Sequence, residues 1–207
     1  MFRFSLKAAL LVGLIGGGSC CLAQDSDTPA HPSAAAAPSA YTPLTQAERT
    51  RLYAKNLVSP ESLLRAAAGA AILQATNTPS EWGQGSEAYA VRFANSYGQH
   101  FIRQSLMYGA SSLLGEDNRY FPSERSGVGP RTLYAIESTF LARRSDGTRH
   151  LSWSRMGAIV ATAFISREWQ PRSTNGAQNA ASSIGDVVGS EAGFNVAREF
   201  LPKLFQH

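Results

Sequence analysis

Apolar positions are unevenly spread along this chain. Residues 8–15, AALLVGLI, form an unbroken apolar run behind a start that carries Arg3 and Lys7 and no acid. Small residues follow, then Cys20, Cys21, Leu22 and Ala23, and then the acidic Asp25 and Asp27. A basic start, a short apolar centre and a small-residue exit predict a secretory signal peptide over 1–23, cleaved after Ala23. Its apolar centre falls well short of the ~20 residues that span a bilayer. Residues 24–43 are rich in Pro, Ala and Ser and hold no large aliphatic side chain. Such a stretch cannot bury a core and is expected to be a disordered linker.

From residue 44 the apolar positions are interleaved with polar ones at helical spacing, and helix-start signals recur. Thr45 with Glu48 predicts a capping box opening a helix to about Val58. Ser59-Pro60 places an N-cap before proline at the first helical position, opening a second helix to about Ala75. Thr78, Pro79 and Glu81 combine both devices. They open a longer helical region, interrupted near Gly83 and Gly85, that runs to Leu114 with Gly115 as its stop. Further helices are expected from Pro130 to about Ala142, from Trp153 to Trp169 before Pro171, and over 174–204. Residues 132–165 are rich in β-branched and aromatic side chains, and Asp146-Gly147 is a turn signal, so a short β-hairpin around 140–153 is the competing reading. The expectation is a mainly α domain over 44–207, a compact bundle of five or six helices. Its best apolar stretch, Met156 to Ile165, is broken only by Thr162 and is too short for a conventional membrane span.

Two helical stripes refine that picture. Tyr89, Phe93, Tyr97 and Phe101 recur every four residues and share a face, beside the small Ala90, Ala94 and Gly98. This reads as a core-facing edge whose tyrosine hydroxyls reach polar partners, or as an aromatic groove for a ligand. Gly185, Gly189, Gly193 and Ala197 also recur every four residues. Each glycine costs a helix about 1 kcal/mol relative to alanine, so the stripe implies close approach of another element. It marks a helix-packing face or an oligomer seam, a glycine zipper. The small residues between Arg65 and Ala71 are its expected partner.

Charge and chemistry add less. The excess of basic over acidic residues is four, and falls to two once Arg3 and Lys7 are set aside. No basic block with interleaved aromatics occurs, so nucleic acid is not an expected partner. The densest polar cluster is 115–122. Glu116 and Asp117 there, with His100, are the candidate catalytic residues of a hydrolase-type enzyme. The alternative is a loop locked by an Arg119–carboxylate pair. Trp82, Gln84, Arg119 and Tyr120 are the candidate binding residues. Two adjacent carboxylates without nearby histidine are a poor metal set, so no metal and no cofactor are expected. The segment 143–150 is a basic turn able to touch anionic headgroups.

Four segments, PSEWGQG (79–85), GEDNRYFP (115–122), ISREWQP (165–171) and FNVAREFLP (194–202), resemble a group of uncharacterised exported proteins of acidobacteria-type Gram-negative bacteria. The resemblance implies export from a Gram-negative cell and carries over no catalytic residue. The expected location is the periplasm or the outer-membrane periphery. Cys20 or Cys21 offers a second exit as a lipidation site; with cleavage after Ala23 both cysteines are lost. The expected role is structural or binding, with a membrane surface or self-association as partner.

Overall fold

A computed structural model describes residues 41–201, all within one compact unit. The expected signal peptide, most of the expected linker, both cysteines and the end of the chain after Leu201 lie outside the described residues. The fold is mainly α, with α1 Gln46–Val58, α2 Pro60–Ala75, α3 Ser86–Leu114, α4 Val128–Phe140, α5 Trp153–Ile165 and α6 Ala177–Phe200. Two 3₁₀ turns, Ser80–Trp82 and Ser166–Trp169, precede α3 and follow α5. Between α4 and α5 lies the short hairpin β1 Leu141–Arg143 and β2 Arg149–Leu151, antiparallel, with Ala142 opposite His150.

The helix starts follow from local chemistry. Thr45 and Glu48 form a full capping box, the Glu48 carboxylate accepting the Thr45 amide at 2.8 Å. Ser59 caps α2 through the Ser62 amide at 3.1 Å, with Pro60 at the first helical position. Gly115 ends α3 with φ of 67°, a left-handed conformation that favours glycine. Thr78 and Glu81 depart from expectation. No side-chain cap forms there: the Thr78 hydroxyl donates back to the Thr76 carbonyl, and Glu81 accepts from the Ser173 hydroxyl at 2.7 Å. The sequence signal was right about the boundary and wrong about its bonds, because Ser173 offers Glu81 a tertiary donor.

α3 is the axis of the bundle. α1, α2 and α5 pack along it, and α6 closes the far side against α4 and α5. The small residues of α2 therefore serve α3, not the glycine stripe of α6: Ala66 and Ala70 are buried, and Gly69 sits where an added Cβ would lie 3.6 Å from Ser96 Oγ. The tyrosine edge of α3 faces inward, with Tyr89 donating to the Ala67 carbonyl at 3.1 Å and Tyr97 to the Leu57 carbonyl at 2.9 Å.

The interior inverts the usual polarity. Among the described residues the buried apolar side chains are eight alanines and Ile159. The largest fully buried ones are Arg92, Glu116, Thr139 and Asp117. An exposed leucine alone says little about a protein, whereas a buried charge must be explained. Arg92 is held entirely by uncharged oxygens. Its Nε donates to the Thr78 carbonyl, one terminal nitrogen to Gln74 Oε1 and the Gly83 carbonyl, and the other to the Pro79 carbonyl, all between 2.7 and 3.0 Å. This knot ties the segment between α2 and α3 to the α3 surface.

Each buried acceptor left without its donor costs about 1–3 kcal/mol. Arg92→Gln is therefore expected to lower unfolding free energy by about 3 kcal/mol or more. Arg125→Ala, at a half-exposed pair 3.5 Å from Glu137, is expected to change it by less than about 1 kcal/mol. Urea unfolding of both variants checks the contrast; equal effects would remove the role given to the knot.

Candidate functional site

Glu116 and Asp117 are both nearly inaccessible, at 1 % exposure each, and both are consumed by structure. Glu116 sits at the start of α5 and accepts from the backbone amides of Trp153 at 3.2 Å and Ser154 at 2.9 Å, and from the Ser154 hydroxyl. A carboxylate is favoured there because free amides and the helix dipole converge at the N-terminus. Asp117 accepts from Arg119 Nε at 3.0 Å and from a terminal guanidinium nitrogen at 2.7 Å. It also takes the Arg119 amide and the Tyr41 hydroxyl, and its backbone bridges to Arg143 beside the hairpin. The histidine beside Glu116 is His150, with Nδ1 3.8 Å from Oε1. His100 instead places Nε2 3.0 Å from the Asn56 carbonyl. The three candidate catalytic residues thus do not form one hydrogen-bonded set.

The other candidates fall in separate places. Gln84 donates to the Gln74 carbonyl and to Asn77 Oδ1, bracing the loop over Arg92. Trp82 lies half-buried in the adjoining 3₁₀ turn. Tyr120 donates to Glu199 Oε2 at 2.5 Å, which joins the loop after α3 to α6. Burial first, and the Glu199 hydrogen bond second, push the Tyr120 hydroxyl well above its ordinary pKa. Gly185, Gly189 and Gly193 are exposed, and a Cβ added at any of them would meet nothing within 4 Å; Ala197 is half-buried.

What the fold assembles in their stead is a polar cavity of about 120 Å³ lined mainly by α2, α3, α5 and α6. Arg65, Arg103, Arg155 and Arg198 line it, with Glu61, Glu191 and His100. Glu61 is shared, 2.5 Å from Arg65 and 3.1 Å from Arg198. Arg65 also lies 3.9 Å from Glu191 and over the Phe194 ring at 3.3 Å. Arg155 donates to the carbonyls of Asn118, Ser138 and Thr139. Arg103 makes no hydrogen bond or ion pair with any other described residue; burial holds its pKa below the usual guanidinium value. Desolvation by itself would raise the Glu191 pKa, yet the surrounding guanidiniums, Arg65 foremost, outweigh it and leave the carboxyl below its ordinary value.

A second chamber of about 500 Å³ adjoins the first, sharing Asn56, Gln104, Met107, Asn118, Tyr120 and Arg198 as wall. Glu116, Asp117 and Arg119 line it as well, so the sequence-predicted loop borders the assembled site without supplying its charge. Sequence reasoning missed the arginines because they are far apart in the chain. The available signal was phase: Arg103 lies eleven residues after Arg92, on the same face of α3. Among the described residues no cluster of metal-ligating side chains occurs. No family model matches the chain, and no curated protein or solved structure matches it either.

Glu199 also titrates low. Burial raises its pKa, but the hydrogen bonds from Tyr120, the Ser123 amide and Arg131 more than reverse that. Burial lowers His100 from 6.5, the largest effect on it. In all three groups the folded state binds its proton less readily than the unfolded chain. Their stabilisation is complete above the unfolded pKa and is lost as pH falls through the lower folded value. Thermal unfolding is therefore expected to weaken in two stages on acidification, first below about pH 6.5 and again below about 4.5. His100→Asn is expected to remove the first stage and Glu199→Gln to reduce the second. A pH series of unfolding midpoints that both variants leave unchanged would contradict the assignment.

Proposed function

We propose that this chain is an exported, membrane-associated helical protein with a binding role, held at a lipid surface by the outward faces of α2, α3, α4 and α5. One observation carries the reading: those faces are apolar while the charges point in. On α2 the exposed side chains after Pro60 are Leu63, Leu64, Ala68, Ala71, Ile72 and Ala75. On α3 beyond its first turn they are Ala90, Val91, Ala94, Phe101, Leu106, Leu113 and Leu114. α4 exposes Val128, Leu133, Ile136 and Phe140 with Gly129 and Pro130, and α5 exposes Trp153, Gly157, Val160, Phe164 and Ile165. Charge is sparse on these faces: Glu87 opens α3, and the half-exposed Glu137 of α4 is paired with Arg125. By contrast α1 exposes Glu48, Arg51 and Lys55.

Contiguous apolar surface of this kind marks contact with a membrane or another protein. Distribution over four helices favours lipid, which covers any outline. No helix among the described residues is long and apolar enough to cross a membrane, so the proposed mode is seating at the surface. The resemblance to exported proteins and the signal-type start agree with a location at the periplasm or outer-membrane periphery. The hydrolase reading has less support, since Glu116 and Asp117 are saturated by structural donors.

Leu64 and Ile72 are 71 % and 65 % exposed, so covering each in lipid is worth on the order of 1 kcal/mol. The mature chain is expected to float with phospholipid vesicles, and Leu64→Glu with Ile72→Glu to reduce the floated fraction several-fold. A detergent-free monodisperse monomer that does not float would refute the proposal.

Self-association is a second reading, favoured by the open glycine face of α6. Its exposed positions are Ala181, Ser182, Gly185, Asp186, Gly189, Ser190 and Gly193. If copies meet there, Gly189→Leu is expected to abolish crosslinking between subunits without loss of helix content by circular dichroism. Unchanged crosslinking would remove this face from consideration.

A further inference from the structure

The geometry points to a binding site for an amphipathic anion: an oxyanion group, carboxylate or phosphate, seated among Arg65, Arg103, Arg155 and Arg198, with its apolar body in the adjoining chamber. Four guanidiniums and two carboxylates line the smaller cavity. Glu61 is occupied by two arginines at once, and Arg155 by three carbonyls. Neither arrangement offers Arg103 a hydrogen bond, and Glu191 acts on it only through space. Its guanidinium fork stands in the cavity wall without a hydrogen-bonded partner among the described residues. A guanidinium presents paired donors that match an oxyanion in two-point contact. Removal from bulk water strengthens that attraction, since the same charges interact several times more strongly at low dielectric.

The second chamber supplies the other half of the specificity. Its own charges are already committed: Arg119 to Asp117, Glu116 to the α5 amides, and Arg49 to the carbonyls of Ser111 and Glu116. What remains open to a ligand is the wall of Leu44, Leu52, Tyr53, Met107, Tyr108 and Pro122. At about 500 Å³ it has the size of a small-molecule pocket. A charged end and an apolar end in series fit a molecule with one acidic head and an aliphatic or aromatic body. Glu191 opposite the head keeps the site from holding two oxyanions.

Titration calorimetry of the exported chain in neutral detergent tests this, with octyl phosphate, octanoate and inorganic phosphate as probes. Octyl phosphate or octanoate is expected to bind at least tenfold more tightly than inorganic phosphate. Arg103→Gln is expected to weaken the amphiphile about tenfold or more, the loss of one charge-assisted contact, and Arg103→Lys to lose less. Because Arg103 makes no hydrogen bond to another described residue and Arg65 and Arg155 act more strongly on Glu191, both variants should keep the wild-type melting temperature within a few degrees. A double variant, Leu44→Gln with Leu52→Gln, separates the two ends, since both residues line only the larger chamber: it should weaken octyl phosphate and leave inorganic phosphate unchanged. Absence of binding by all three probes, or affinity unaltered in Arg103→Gln, would overturn the site. Equal affinity for inorganic phosphate and octyl phosphate would overturn the amphipathic ligand.

Discussion

The whole structure depends on how a bundle keeps charge inside. A guanidinium or carboxylate removed from water is tolerated only when its hydrogen-bonding capacity is met nearby. Each buried charge here is met differently. Arg92 is wrapped by carbonyls, Glu116 by the start of α5, Asp117 by Arg119, and Glu199 by Tyr120, Ser123 and Arg131. These bonds join elements that the chain order separates. Glu116 fixes the loop after α3 to α5, and Glu199 fixes the same loop to α6. With only alanines and Ile159 buried as apolar core among the described residues, these polar ties take over the specifying role that interdigitated leucines play elsewhere. A half-satisfied network would be worse than none, which explains why so many of its members are backbone groups: they are placed by the helices themselves.

Helix boundaries were legible because their causes are local. A threonine three residues before a glutamate, a proline behind a serine, or a glycine past the last apolar position acts within one turn. The hairpin was legible from Asp146-Gly147, and the structure resolves that ambiguity by placing three-residue strands on either side of the turn. Thr78 and Glu81 show the limit of local reading. Their spacing satisfies a capping box, but Glu81 finds its donor at Ser173, ninety-two residues on.

The site was legible in part only. The loop at 115–122 stands out by composition, and it does border the larger chamber. The arginines that line the smaller cavity come one from each helix: Arg65 among alanines, Arg103 between Ile102 and Gln104, Arg155 ahead of Met156 and Gly157. Reading one of them as surface is the natural inference, since arginine is seldom buried. The reading inverts only when the leucines are also followed around the helix. In α5, Trp153, Val160 and Phe164 lie opposite Arg155, and all three are exposed. Amphipathicity reports that a helix has two faces. It does not say which face meets water.

That last point bears on how such a chain would travel. In a chain exported as proposed, the apolar faces must pass one membrane before they settle against another. Insertion of an arginine at the centre of a helix into a bilayer is opposed by roughly 2.5–3.5 kcal/mol. Arg65, Arg92, Arg103 and Arg155 fall within α2, α3 and α5, the helices with the most apolar exteriors. The guanidiniums that face inward once the bundle has formed would, before that, oppose sideways escape of these helices into the first bilayer. A buried charge of this kind works twice: as a ballast in transit, and as a wall of the cavity on arrival.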